Sequence, residues 1–220
     1  MPPFSLNTTN ELKNALKLKQ NQLDEQTAVR LHRAISWLQC AEEATTVDME
    51  FIALWIAFSA CCSIDHQGDH PLQNHDQFIR FIDLLVEHDT SRKIYNCLWE
   101  EYSGHVKALI RNPYVFHSFW VSQRQGNNDW EPLFNQSSVA ALNALSRGRV
   151  SDLSSIVLDR LFVLRNQLIY GGATFKGRIN REQVEDGAGL LGTLLPIIIE
   201  IMMVTEGVNW GEIAYPVINK

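Results

Sequence analysis

Apolar residues recur at three- and four-residue spacing through most of this chain, and no useful length of apolar/polar alternation appears. That spacing is the period of a helix face, so the pattern predicts helices and no sheet. Residues 1–9 read as a loose arm. Thr9 or Asn10 then caps a short polar helix running to Gln22. Asp24 caps a second helix, with Val29, Leu31, Ile35, Trp37, Leu38 and Ala41 as its apolar positions. Asp48 opens a third, Met49 to Ser63, which is apolar nearly all round and is therefore expected to be central and buried. Helical patterns resume at Gln77–Glu87, Ser91–Ile110, Gln136–Arg147 and Ser151–Tyr170. Gly148 and the pair Gly171-Gly172 stop the last two. The break at Gly126–Asp129 reads as a plain turn. After a loop through Ile179, Asn180 caps a final helix, Arg181 to Glu206, which Pro196 is expected to kink. The predicted fold is all-α: an elaborated antiparallel helical bundle of about eight helices, forming one domain over 1–220.

Composition adds little to that picture. A hydrophobic share of 45% and six Trp suffice for a substantial core in a chain of 220 residues. None of the four cysteines has zinc-type pair spacing. Cys40, Cys61 and Cys62 fall on apolar helical patterns and read as core thiols of a reducing cytoplasm. The N-terminus lacks the basic start and apolar core of a signal peptide. The longest apolar run, Leu190 to Val204, is shorter than a bilayer crossing and contains Pro196 and Glu200. The expected setting is cytoplasmic, with no membrane contact. Between Asp65 and Asp76 lie three His and three Asp, a set that can ligate metal. Gly68 and Pro71 break the helix that regular ligand spacing needs, so the stretch reads as a solvated connection, with no metal site.

Charge distribution says more than charge total. The chain carries −6, yet Ser146 to Arg181 holds seven Arg and Lys against two Asp, a local +5, which leaves −11 elsewhere. Arg160, Lys176, Arg178 and Arg181 are therefore candidate phosphate contacts. Tyr114, Phe116, Phe119, Trp120 and Trp130 form an aromatic cluster. Rings at helical spacing beside Pro113 read first as core, with base stacking as the alternative.

The stretch Arg165-Asn-Gln-Leu-Ile-Tyr170-Gly171-Gly172 closes the helix within that basic region. At 100° per residue, Arg165 and Tyr170 lie about 140° apart around the helix. One copy makes a poor clamp, whereas two facing copies bring the Arg of one to the Tyr of the other.

That stretch, with Ala173-Thr-Phe-Lys-Gly-Arg-Ile-Asn180-Arg181 after it, resembles HEPN-domain proteins, and most closely the ApeA-like HEPN group. Arg33–Leu38, Phe51–Phe58 and Asn112–Trp120 resemble the same group, so the similarity spans roughly residues 30 to 205. The family signature is an Arg, a polar residue, a short spacer and a His; here Tyr170 stands where the family has His. The resemblance implies metal-independent RNA cleavage without a cofactor, at a composite site in a homodimer, in proteins of antiviral defence or toxin–antitoxin type. It assigns Arg165, Asn166 and Tyr170 to the catalytic set. Arg165 suits the charged phosphorane, because its fork holds two oxygens and keeps its charge. Asn166 orients a phosphate. The family His serves as acid or base, a task for which a phenol of reference pKa about 10 is a weak base at neutral pH. The alternative is a catalytically degenerate HEPN domain that binds nucleotides, phosphate or protein. Ile197, Ile199 and Met203, on a second face of the last helix, are candidates for the subunit interface.

Overall fold

The computed structural model describes residues 8–62, 74–178 and 180–218. Among them are ten α-helices and no strand, so the chain is all-α. The helices are α1 (Thr8–Lys19), α2 (Glu25–Glu42), α3 (Val47–Cys62), α4 (Asn74–His88), α5 (Lys93–Asn96), α6 (Ser103–Arg111), α7 (His117–Gln125), α8 (Trp130–Arg147), α9 (Val150–Ile169) and α10 (Arg181–Val204). Two compact units result: Met1–Ser91 with Leu191–Lys220, and Arg92–Leu190, the division falling inside α10. The Asp65–Asp76 stretch lies outside the described side chains.

In the first unit, α1 begins at Thr8, and Thr9, expected in the arm or as a cap, is a buried helical residue. Asp24 caps α2 as its sequence position predicts: its backbone is extended and its carboxylate accepts from the Thr27 amide at 2.9 Å. The apolar α3 is central, with Phe51, Leu54, Phe58 and Cys61 essentially inaccessible. Phe58 meets Phe81 edge-on at 6.4 Å, and Phe81 meets Trp210 at 5.9 Å. Arg30 is buried among these groups. It donates to the carbonyls of Gly211 at 2.7 Å and Cys61 at 3.3 Å, fixing the C-terminal segment to α2 and α3. Burial lowers its pKa from the usual value. Burial also raises the Cys61 thiol, which lies in the core as expected. Cys40 does not share that setting: it is exposed on α2.

In the last helix, Ile199 and Met203 are buried within the chain. They are therefore not the interface residues their second-face position suggested. By length and composition α10 is long and apolar enough to cross a membrane, longer than its uninterrupted apolar run implied. However, 67% of its most apolar window is buried, as in a core helix. It continues through Pro196.

In the second unit, the pattern at Ser91–Ile110 is not one regular helix. A π-helical turn, Cys97–Glu101, separates α5 from α6. It buries both Cys97 and Leu98 and carries Trp99 onto Tyr95, stacked at 4.7 Å, with its indole N–H donating to the Leu145 carbonyl at 2.7 Å. Burial pushes the Cys97 thiol up to about 12. Helix α8 starts at Trp130, six residues before its expected start. Pro132 sits in the first turn, where a missing N–H costs nothing.

Candidate RNA-contacting site

Helix α9 ends close to the predicted residue. Tyr170 follows its last turn and donates its backbone N–H to the Asn166 carbonyl at 2.9 Å. Gly171 then turns left-handed at φ 70°, a conformation that disfavours any residue with a Cβ. The Gly172 and Ala173 amides both reach the Gln167 carbonyl, at 2.7 and 3.2 Å.

The phase of α9 sorts its polar residues. Phe162, Arg165, Asn166 and Ile169 fall within about 100° of arc, so they share one stripe. Phe162 and Ile169 are each 47% exposed. Arg165 is half-buried between them. Its Nη1 donates to Asn166 Oδ1 at 2.8 Å, and its guanidinium lies 5.8 Å from the Phe162 ring centroid. Its Nε is buried and has no acceptor among the described residues. Tyr170, also near this side of the helix, is 79% exposed.

Arg160 is five residues before Arg165 and so about 140° away, on the inward face. It is buried at 3% exposure, 4.5 Å from the Phe116 centroid and 5.6 Å from that of Phe134, and donates to Ser137 Oγ at 2.9 Å. Burial pushes its pKa down to about 10, with Asp159 opposing. Expected at the phosphate surface, Arg160 is an internal packing residue instead, a cation clasped by two rings.

The remaining expected cations lie on the loop after Gly172. Lys176 and Arg178 are exposed, and Lys176 sits at φ 56°, the left-handed region that a residue with a Cβ seldom occupies. Arg181, at the start of α10, donates Nε to the Gly177 carbonyl at 2.9 Å, closing the loop on itself. Among the described residues no carboxylate pairs with Arg165, Lys176 or Arg178. Asn180 stands immediately before α10, as expected, and its carbonyl accepts the Val184 amide at 3.0 Å. It is left-handed at φ 58°, and its side-chain amide donates to Gln167 Oε1 at 2.7 Å.

Gln167 therefore joins the parts, and it is the residue that sequence reasoning missed. Its own Nε2 donates to the Tyr114 carbonyl at 2.6 Å, so one side-chain amide spans the Pro113–Val115 turn and the loop that carries the cations. Its identity as a long amide in a terminal helical turn was the only available signal. The same Tyr114 carbonyl accepts the Trp120 indole N–H at 2.8 Å. Behind Tyr114 and Trp120, Phe119 stands edge-on to both, and Trp130 packs on Phe119 at 5.0 Å. The cluster is thus a layered one rather than all core: Tyr114 is 50% and Trp120 37% exposed. His117, at the start of α7, is exposed.

Chemically, the stripe of α9 offers a half-satisfied guanidinium between two exposed apolar side chains, and Tyr170 beside it an exposed phenol. The loop after Gly172, tied to α9 through Gln167 on the other face of the helix, offers two exposed cations. Comparison with family models, with characterised proteins and with solved structures finds no match.

Proposed function

We propose that this chain is a HEPN-type protein that binds and cleaves RNA without metal, an effector of the antiviral-defence or toxin–antitoxin kind. A second copy packing on the exposed stripe of α9 completes its anion site. One observation carries the reading. Arg165 and Asn166 lie between two exposed apolar side chains on one helix face, the guanidinium bonded to its neighbour and paired with no carboxylate among the described residues. Arg30, by contrast, is fully buried and holds the fold through two backbone carbonyls, at 2.7 and 3.3 Å.

In this reading the 2′-hydroxyl of an unpaired ribose gives its proton to water and attacks the adjacent phosphorus; the P–O5′ bond breaks, leaving a 2′,3′-cyclic phosphate and a 5′-hydroxyl that takes its proton from solvent. Arg165 steadies the charge that builds on the phosphorane oxygens, and Asn166 orients the phosphate. Tyr170 donates a hydrogen bond to a phosphate or leaving oxygen. The test is incubation of the purified chain with single-stranded RNA and tRNA in EDTA. Cleavage that Arg165→Ala abolishes supports the proposal, and equal cleavage by that variant refutes Arg165's role. Phe162→Glu should convert a dimer to a monomer and remove cleavage together.

A second reading is favoured by Tyr170 itself. A missing general base costs on the order of 10²–10⁴ in rate, so a phenol at this position fits a domain that binds RNA or a nucleotide and no longer turns it over. Tyr170→His separates the two: cleavage that appears only in that variant identifies a binding module.

A further inference from the structure

We infer that Tyr114 and Trp120 form a stacking shelf for unpaired bases; this rests on the RNA reading above. The two rings are neighbours, 6.5 Å apart and inclined at 44°, and both are open to solvent. They are also held in place. Phe119 meets Tyr114 at 5.3 Å and 87°, and Trp120 at 5.1 Å and 90°. The indole N–H is fixed on the Tyr114 carbonyl, and the Tyr114 amide on Asn112 Oδ1 at 2.9 Å. Exposed rings without freedom to turn lose little entropy when a flat partner lies on them.

The choice of occupant comes from what adjoins the rings. Gln167 holds the Tyr114 carbonyl with one end of its amide and Asn180 with the other. The segment between Gly172 and Asn180 carries Lys176 and Arg178. The turn that bears Tyr114 and the segment that bears Lys176 and Arg178 are therefore tied to the two ends of one amide group. A single strand has the matching chemistry, with bases on one side and phosphates on the other. A duplex hides its base faces, and an apolar protein surface has no need of the cations. The shelf also faces bases of every sequence, because each has a π-face, so it selects for unpairedness and not for a code.

The experiment uses the full chain at low salt, with a fluorescent single-stranded RNA of about twelve nucleotides and an abasic ribose-phosphate strand of equal length. The base-bearing strand should bind about 5- to 150-fold more tightly, the range that one stacked base supplies. Trp120→Ala and Tyr114→Ala should each remove most of that difference while leaving abasic binding unchanged. Trp120→Phe, which keeps a ring but loses the indole N–H, should retain most of it. Arg165→Ala should weaken both strands. Equal binding of the two strands by the wild-type chain overturns the shelf and leaves the RNA reading standing, as does loss of both strands together in Trp120→Ala and Tyr114→Ala. If neither strand binds, both ideas fall and the rings are left to a protein partner.

Discussion

Truncating Gln167 tests the architecture around the α9 terminus. Gln167→Ala deletes two side-chain hydrogen bonds, one of 2.6 Å to the Tyr114 carbonyl and one of 2.7 Å from Asn180. Each bond of this kind contributes about 0.5–1.5 kcal/mol net, and the stated total depends on what is left unpaired. The Tyr114 carbonyl keeps the Trp120 indole as a donor, so it is not orphaned. The Asn180 amide is only half-buried and regains water. The sum therefore belongs in the lower part of the range, about 1–2 kcal/mol. For a chain of this size that corresponds to a fall of about 2–8 °C in Tm. Urea melts followed by far-ultraviolet circular dichroism and Trp fluorescence measure it, with a double-mutant cycle against Asn180→Ala. The cycle should return a coupling of about 0.5–1 kcal/mol. Gln167→Glu adds a signed test: a carboxylate facing the Tyr114 carbonyl has its pKa raised. The variant should approach wild-type stability below about pH 4, and lose ground as pH rises past the unfolded value of about 4.3. A Gln167→Ala chain within about 0.3 kcal/mol of wild type, or a coupling of zero, would refute the idea that this amide ties the two segments.

Other substitutions probe separate features. A Cβ at Gly177 would lie 2.8 Å from the Thr174 carbonyl, so Gly177→Ala should cost about 1–3 kcal/mol; Gly104, in α6 with nothing within 4 Å, should accept Ala with a gain of about 0.5 kcal/mol. Lys176→Gly should relieve the left-handed strain at φ 56°, leaving stability unchanged or up to about 1 kcal/mol higher, while weakening RNA binding in a filter or anisotropy assay. Arg160→Met should stay within about 1 kcal/mol of wild type and leave RNA binding intact. Arg160→Ala should lose about 2–4 kcal/mol, because the rings of Phe116 and Phe134 would then border a void. Asp186 lies 3.5 Å from His105 with its carboxyl raised chiefly by burial and lowered in part by His105. A raised acid is stabilising only below its unfolded value, so Asp186→Asn should gain on wild type as pH climbs from 4 to 7 in denaturant melts.

How much could be read in advance follows from which interactions are local. The span of α9 was legible because its stop signal, Gly171-Gly172, lies in the same few residues. The Asp24 cap was legible for the same reason. Arg160's inward position follows from the phase that sets it opposite Arg165, although charge counting alone placed it outside. The link through Gln167 was not legible, since its partners are 53 residues before it and 13 after it. The place of Asn180 before α10 was legible, but its left-handed backbone and its side chain's bond to Gln167 were not, because Asn favours both helix starts and left-handed turns and the acceptor lies 13 residues away. The half-exposed state of Tyr114 and Trp120 was equally hidden, because spacing places rings on a face without saying what covers it.

The widened turn at Cys97–Glu101 has a consequence for how this chain can change length. A ring closed by i→i+5 bonding contains one residue more than the ordinary helical ring. Removal of a single exposed position there, such as Glu100, would let the turn relax into regular α-helix without rotating what precedes or follows it. The segment therefore acts as a phase reserve. One codon can be lost from it without the hydrophobic faces of α5 and α6 falling out of step, whereas the same deletion in α9 would swing Arg165 through about 100° and off its stripe.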